Sequence, residues 1–553
     1  MSCLPADSRV GRLLARFVSA EQGNIAVIFA IALVPVLGMV GAAIDYTRAS
    51  RARSSMQAAL DSTALMLSKD LTAGTITASD ISTKAQIYFS GLYTDTEAKG
   101  VTITPTYTAA TTSAAATLLL TGSGYINSDF MQIAGFPTLG FNTTATSTWG
   151  NAKMRVALVL DNTGSMSQNG KITALRNAVA GSGGLIDQLS ALSKNNGDVY
   201  ISVVPFAKDV NVGSSNYTQS WIDWTSWEAE APDLVSAKPS NWSSIGPGSN
   251  CPWTMASNGF TCVNGPGSTS AVSTIPSSGT NKGLICPGPD SSSRYSYKYH
   301  YLINGCYTSV KSGSTYTHTW TPNARSTWSG CITDRTQPYD VQSTAPTTST
   351  VATLFPAEQY YENSVSYCSS SASTQLEPII PLSYDWSALK TAVNAMQPTG
   401  GTNQAVGLAW GWLSLLQTAP LSAPAESTTS GTTYNRVIIL LSDGLNTENR
   451  WPAYGDGSSQ TTTYGNGTFP GSIDARQQTL CDNLHNAKDA NGAAMYTIYT
   501  IQVNTSSPAD PTSAILKYCA SSPDKFYMLT SSSQIVTTFN AIGTALSKLR
   551  LAR

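Results

Sequence analysis

Residues 25–44 read IAVIFAIALVPVLGMVGAAI, twenty positions without a charge. About 20 apolar residues in helical form cross the hydrocarbon core of a bilayer. Whatever the rest of this chain builds is therefore expected to hang from one membrane helix. Arg9, Arg12 and Arg16 precede the run, and Arg48, Arg51 and Arg53 follow it. The cytoplasmic excess of basic residues that usually sets orientation is thus balanced. A cleaved signal peptide is the competing reading. The run is long for one, and no clear turn with small residues follows to mark a cleavage site. A retained anchor over 25–44 is the expectation, with 1–24 on its near side.

The cysteines decide the orientation. Cys3 stands alone before the run. Cys251, Cys262, Cys286, Cys306, Cys331 and Cys368 lie mid-chain, and Cys481 and Cys519 lie late. There is no C-x-x-C, and the spacings do not resemble zinc sites. An even eight fits four disulfides in an oxidising compartment better than a set of free buried thiols. The N-terminus is then cytoplasmic and the long remainder lies across the membrane. The surface composition agrees: charged residues make up 12% of the chain, about half the usual share. With a formal net charge of −1, no basic footprint for nucleic acid exists.

Between Tyr46 and Leu71 there is no Gly or Pro, and Met56, Leu60, Ala64, Leu67 and Leu71 recur at helical spacing. One long helix is expected to run out of the bilayer. A weaker helix follows at 81–92, then Thr-rich alternating runs at 101–108, 116–122 and 140–149 that read as strands. Residues 45–150 thus predict a membrane-proximal helix with a small α+β stalk domain.

The segment GNIAVIFAIALVPVLGMVGAAIDYTRAS closely resembles the N-terminal segment of TadE/TadG-like proteins of tight-adherence (Flp) pilus assembly. In that family Gly-Asn precedes an apolar helix ending in Asp-Tyr-x-Arg. Its pilin-like members are processed after a Gly with a Glu five residues on. Here that position is Ile28, which suits the uncleaved, TadG-like branch. The ending CASSPDKFYMLTSSSQIVTTFNAIGTALSKLRLAR also resembles TadG-like C-termini, and implies that Cys481 and Cys519 pair near the last strands. The resemblance implies a bacterial inner-membrane protein with periplasmic domains and partners among pilus-assembly or envelope proteins.

At 156–167 the chain reads VALVLDNTGSMS: an apolar run stops at an aspartate, and hydroxyls follow at every second position. Residues 155–160 suit a buried parallel strand. Helical signal resumes at Lys171 and continues through Leu175, Val179, Leu185, Ile186 and Leu189. The loop between them sits where open α/β sheets bind ligands, beyond the carboxyl ends of strands. Gly164 is expected to let this loop bend sharply. Asp161, Thr163 and Ser165 offer oxygen donors that suit a hard cation, Mg²⁺ ahead of Ca²⁺ or Mn²⁺. Two further segments qualify: the Gly-rich loop QPTGGTNQ at 397–404, and VIILLSDG at 437–444, a second apolar strand ending in aspartate.

Together the three segments resemble the metal-ion-dependent adhesion site of von Willebrand factor A domains. That family uses Asp-x-Ser-x-Ser, a distant Thr and a later Asp. The resemblance implies Asp161, Thr163, Ser165, Thr402 and Asp443 as ligands, with Thr163 where Ser is usual. It implies a doubly wound, Rossmann-like α/β sheet over 152–207 and 378–549. Alone, Asp161 could be an N-cap and Asp443-Gly444 a plain turn. Strands are expected at 199–206, 379–382, 494–503 and 525–529, with helices at 405–416, 474–490 and 533–549. In the family the open metal position accepts a partner's carboxylate, although in some members the metal mainly braces the loops.

Residues 208–377 interrupt this pattern between the second and third strands. A structureless loop of that length is uncommon. Six cysteines and seven tryptophans predict a disulfide-stapled insertion, and the A-domain resemblance, in which the third strand runs antiparallel beside the second, implies that it leaves from the carboxyl end of the second strand. Trp221, Trp224 and Trp227 admit two readings: a subdomain core, or an aromatic platform of a glycan-binding adhesin. An enzyme is not expected. The histidines, His300, His318 and His485, stand in neither H-E-x-x-H nor beside G-x-S-x-G.

Overall fold

The computed structural model describes residues 24–73, 75–109, 116–149, 152–193, 195–288, 300–301, 303–358, 360–361, 368, 375–427, 432–447, 473–489 and 492–551. It divides into two units, one built from 1–151 with 429–432 and 551–553, the other from 152–428 and 433–550.

In the first unit, helix α1 (Asn24–Ala73) continues without a break from the apolar run. At 1.5 Å per residue its 50 residues reach ~75 Å. Its N-terminal part is long and apolar enough to cross a membrane. Past that part the surface changes character. Met56, Leu60, Ala64 and Leu67 are buried against α2 (Ile81–Leu92) and an antiparallel sheet. The sheet runs β1 (Ala98–Thr108), β2 (Ala116–Asn127), β3 (Thr138–Trp149) in that order. Ala116, Leu118 and Leu120, two apart, point into this core, as the period of a strand requires.

The second unit is a mixed α/β body around one eight-stranded sheet. Its parallel part pairs β4 (Ala152–Asp161) with β5 (Val199–Phe206) on one side and with β9 (Thr433–Ser442) on the other. Next to β9 lie β10 (Tyr496–Val503) and β11 (Phe526–Leu529), also parallel. On the far side, β6 (Val210–Asn211), β7 (Cys331–Ile332) and β8 (Ile380–Ser383) are antiparallel, and both β6 and β8 pair with β5.

Alternation along β4 sends side chains to two cores. Met154, Val156, Leu158 and Leu160 face α3 (Lys171–Ala180), α4 (Leu185–Ala191), α5 (Trp386–Ala395) and α9 (Ser533–Leu551). Ala157 and Val159 face α6 (Gln404–Ser414), α7 (Ile473–Asn486) and α8 (Ala514–Cys519). Each fully buried Val or Leu contributes roughly 1.5–3 kcal/mol by leaving water. Two glycines set the height of α6. A β-carbon at Gly407 would strike the Phe206 ring, and one at Gly411 would strike Val159. Close approach of the helix to β4 and β5 holds its N-terminus over the strand ends.

Three expectations need correction. The helical signal from Lys171 through Leu189 breaks into α3 and α4, because Gly181-Ser-Gly-Gly184 intervenes with Gly183 at φ 72°. The left-handed residues of the loop after β4 are Asn169 and Gly170, rather than Gly164. The tract 208–377 is not one appendage: Trp221, Trp224, Trp227, Trp328 and Phe355 join the core of the main sheet. Only the stretch between them has a core of its own, with Trp253, Phe260, Ile285 and Tyr307. The hairpin Gly305–Ser312 and Thr315–Pro322 is extended there by two shorter strands.

Among the described residues, disulfides join Cys251 to Cys262, Cys286 to Cys306, Cys331 to Cys368, and Cys481 to Cys519. The last closes α7 onto α8, beside the late strands. Cys3 lies outside the described residues.

Candidate metal centre

β4 and β9 are neighbours in register, so both end at one edge of the sheet, with Leu160 opposite Leu441. The next residues of interest, Asp161 and Asp443, therefore emerge side by side from segments nearly 300 positions apart. Both are buried.

Asp161 is wholly enclosed. Its Oδ1 accepts the Thr163 N–H at 2.8 Å, and its Oδ2 accepts the Ser442 hydroxyl at 2.7 Å and, more distantly, the Asp443 N–H at 3.3 Å. The Ser165 hydroxyl donates to Asp443 Oδ1 at 2.8 Å and lies 3.0 Å from the Thr163 hydroxyl. Burial pushes the Asp161 carboxyl up, and the neighbouring Asp443 charge adds to it. The Thr163 and Ser442 donors offset part of this, leaving the group at about 7.

The loop carrying Thr402 is stitched to both strand-end loops. The Gly164 N–H donates to the Gly400 carbonyl at 2.9 Å, and the Thr399 N–H donates to the Asn162 carbonyl at 2.7 Å. On the other side, the Thr402 N–H donates to the Thr447 hydroxyl and the Thr447 N–H to the Thr402 carbonyl, both at 2.9 Å. Thr402 itself is buried. Asn403 caps α6 by accepting the Val406 N–H. All five residues singled out in the sequence thus belong to one cluster of three loops.

The sequence reading missed the cluster's cation. Lys171, the first residue of α3, is buried and places its Nζ 2.6 Å from Asp443 Oδ2. A lysine in the first turn of a helix opposes the helix dipole, and this was the available signal that it answers to a partner. Also missed was the layer behind the carboxylates. The Gln404 amide donates to the Ser442 hydroxyl and to the Gly444 carbonyl, and its backbone N–H donates to Asn446 Oδ1. The Gln477 amide donates to Gln404 Oε1. This network fixes the rotamers of the groups that face Asp161.

Two carboxylates and three hydroxyls make an oxygen-only donor set, the chemistry that a hard divalent cation requires. With Lys171 counted, the cluster's formal charge is −1, so a divalent ion would bring it to +1. Asn162 Oδ1, next in sequence to Asp161, is buried without a hydrogen-bond partner. Another group of possible ligands, Cys331, Cys368 and Glu358, is otherwise engaged: the sulfurs pair with each other, and Glu358 accepts the Ser329 hydroxyl.

Trp221, Trp224 and Trp227 are 7, 6 and 3% exposed. Trp224 packs edge-on against both Trp227 and Trp328. They are core residues with no free face, so the reading of these three as a sugar platform is withdrawn.

Comparison with known proteins bears on the N-terminus first. Residues 23–66 match the family model described as "Putative Flp pilus-assembly TadE/G-like". The chain therefore begins with a segment of pilus-assembly type. No curated protein matches the chain. Solved structures with similarity include the pilus adhesin SpaC from Lactobacillus rhamnosus GG, at 11% identity and TM-score 0.29, over 82% of this chain and 35% of that one. The vWF domain of the type V pili tip protein Mfa5 from Porphyromonas gingivalis matches at 9% identity and TM-score 0.30, over 72% of this chain and 96% of that one. Proximal thread matrix protein 1 from the mussel byssus, with a zinc-occupied MIDAS motif, matches at 11% identity and TM-score 0.26, over 72% and 46%. The chain spans about a third of SpaC and about half of the byssus protein.

Proposed function

We propose that this chain is a single-pass protein of the bacterial inner membrane, with a cytoplasmic N-terminus and a periplasmic von Willebrand factor A-type domain. It acts in assembling or anchoring a tight-adherence pilus, through cation-dependent contact with a pilus or envelope protein. The apolar helix, the TadE/G-like segment and the disulfides support the location. The carrying observation for the contact is the convergence of Asp161, Ser165 and Asp443 in one hydrogen-bonded cluster, with the Thr402 loop tied to both sides.

Asp161, Thr163, Ser165, Thr402 and Asp443 would hold the ion, directly or through water. Mg²⁺ fits ahead of Mn²⁺ or Ca²⁺, because the donors are few, hard and rigidly held. When bound, the ion supplies a positive centre that accepts a carboxylate oxygen from a partner. The chain's own part is positional: Ser442 and the Gln404 network orient the carboxylates, and the Asn403-capped start of α6 holds the Thr402 loop. The work is binding rather than turnover. His485 donates from Nε2 to the Cys519 carbonyl, and His318 donates from Nε2 to the Trp242 carbonyl while its Nδ1 meets the Ser309 hydroxyl, so both serve structure.

The test is calorimetric titration of Mg²⁺ and Mn²⁺ into the full chain in detergent, beside Asp161→Ala. Binding to the wild type that weakens at least 100-fold in the variant is expected. Equal binding in both, or none to the wild type, overturns the reading.

A further inference from the structure

The first unit carries an apolar feature that its own core does not use. The loop between β2 and β3 reads Ser128-Asp-Phe-Met-Gln-Ile-Ala-Gly-Phe-Pro137. Its side chains of Phe130, Ile133 and Phe136 are 44, 87 and 56% exposed. Such a run on a loop tip, with three large apolar groups turned outward, is unusual in a surface bathed by water.

The loop is firmly held. Met131–Ala134 form a short 3-10 turn that closes at Gly135, which has φ 93°. The Phe136 N–H donates to the Met131 carbonyl and the Ser128 N–H to the Pro137 carbonyl, both at 3.0 Å. Asp45 of α1 grips its start: Oδ1 accepts the Asp129 N–H at 3.0 Å, and Oδ2 accepts those of Phe130 and Met131 at 2.8 Å. Gly41, one helical turn earlier, is where Phe130 lies on the helix. A β-carbon built there would be 2.5 Å from Phe130 Cβ.

That contact sets the level of the loop. Gly41 lies inside the uncharged run, and Asp45 is the first charge after it; the two are ~6 Å apart along the axis. The loop therefore sits alongside the last turn of the apolar run. Its exposed side chains continue the outward apolar surface of α1, where Leu37, Val40 and Ile44 are 57, 54 and 44% exposed. Directly beyond stands a polar collar. Arg48 bonds Glu97 at 3.0 Å and Asp129 at 2.6 Å, and Tyr46 is exposed, as aromatic residues with a polar tip are at a bilayer boundary.

We propose that residues 129–137 form a lipid-entering wedge. Phe130, Ile133 and Phe136 dip into the boundary of the same bilayer that α1 crosses, and they fix the depth at which α1 leaves it. The occupant of this surface is lipid, because the patch is level with and continuous with the membrane helix. The inference rests on the membrane-anchor reading given above.

The test places nitroxide labels on the full chain in lipid nanodiscs, with Cys3→Ser as background. Single cysteines are introduced as Ile133→Cys, Phe136→Cys, Val36→Cys within the helix, and Ser79→Cys on an exposed turn. Collision rates with oxygen, which enters lipid, are compared with those of a water-soluble nickel chelate. Slow amide exchange at 129–131 verifies that the loop stays docked. Oxygen is expected to dominate at 36, 133 and 136, with 133 and 136 shallower, and nickel at 79. Nickel dominance at 133 and 136 with oxygen dominance at 36 overturns the wedge and leaves the anchor standing. Nickel dominance at 36 as well overturns both. Shielding of 133 from both reagents means protein covers the loop, and overturns the wedge.

Discussion

Asp45 and Asp161 each follow an apolar run, the first within a continuous helix and the second at the end of a strand, and each is enclosed by protein. Their surroundings differ in kind. Asp45 accepts three backbone N–H groups and has Arg48 3.5 Å away. Its charge is answered inside the fold, so it serves as a clamp. Asp161 has hydroxyls and backbone N–H groups around it, but a second carboxylate next to it, and the nearest ammonium is spent on that second carboxylate. A charge left short of compensation is a place for something else to bind. The comparison teaches that burial alone does not mark a functional carboxylate; the sign of its neighbours does.

The largest expected effect that sharpens this contrast is in pH. A cation needs Asp161 ionised, and the group titrates at about 7. Below that value each pH unit should weaken binding about tenfold, so Mg²⁺ affinity at pH 5 should be about 100-fold below that at pH 8. Above pH 7.5 it should level off. A flat profile between pH 5 and 8, read by titration calorimetry, would show that protons and cation do not compete there.

Asp45→Ala should break the clamp instead. Three N–H groups lose their acceptor, which costs about 2 kcal/mol locally. Hydrogen exchange at the amides of 129–131 should then run about 30-fold faster, with cation affinity unchanged. Unaltered exchange would mean that water replaces the carboxylate at no cost.

Lys171→Met probes the other side of the comparison. The ammonium occupies Asp443 Oδ2 and repels an incoming cation. Its removal should tighten Mg²⁺ binding about tenfold, ~1.4 kcal/mol, while lowering the thermal stability of the cation-free protein. Weaker binding would instead make Lys171 a support for the ligand set.

The smallest effect concerns stability without cation. A carboxyl whose folded pKa is raised lends stability below its unfolded value near 3.9, and loses it as pH rises through about 7. Asp161→Asn copies the protonated form. It should raise cation-free stability at pH 8, with the gain shrinking towards pH 5. Denaturant unfolding at the two pH values checks this, and destabilisation at pH 8 would contradict it.

Periodicity alone determined much of this protein. An uncharged run of twenty, a break-free heptad-like stretch after it, and two apolar runs each stopping at an aspartate make the long helix, the stalk and the strand ends readable. Backbone geometry converts those patterns into elements with little choice: period 3.6 for Met56, Leu60 and Leu67, period 2 for the faces of β4. Asp161, Thr163 and Ser165 were readable as oxygen donors after a strand end, whereas Thr402 and Asp443 joined them only through the resemblance to von Willebrand factor A domains. What only the tertiary structure decided are the meetings of distant side chains. Lys171 on Asp443, Gln404 behind Ser442, Phe130 against Gly41, and the tryptophans of 221–227 in the main core all depend on which elements become neighbours. No local pattern encodes that choice. It follows from which packing buries the apolar faces together while every enclosed polar group finds a partner, and that balance exists only in the folded chain.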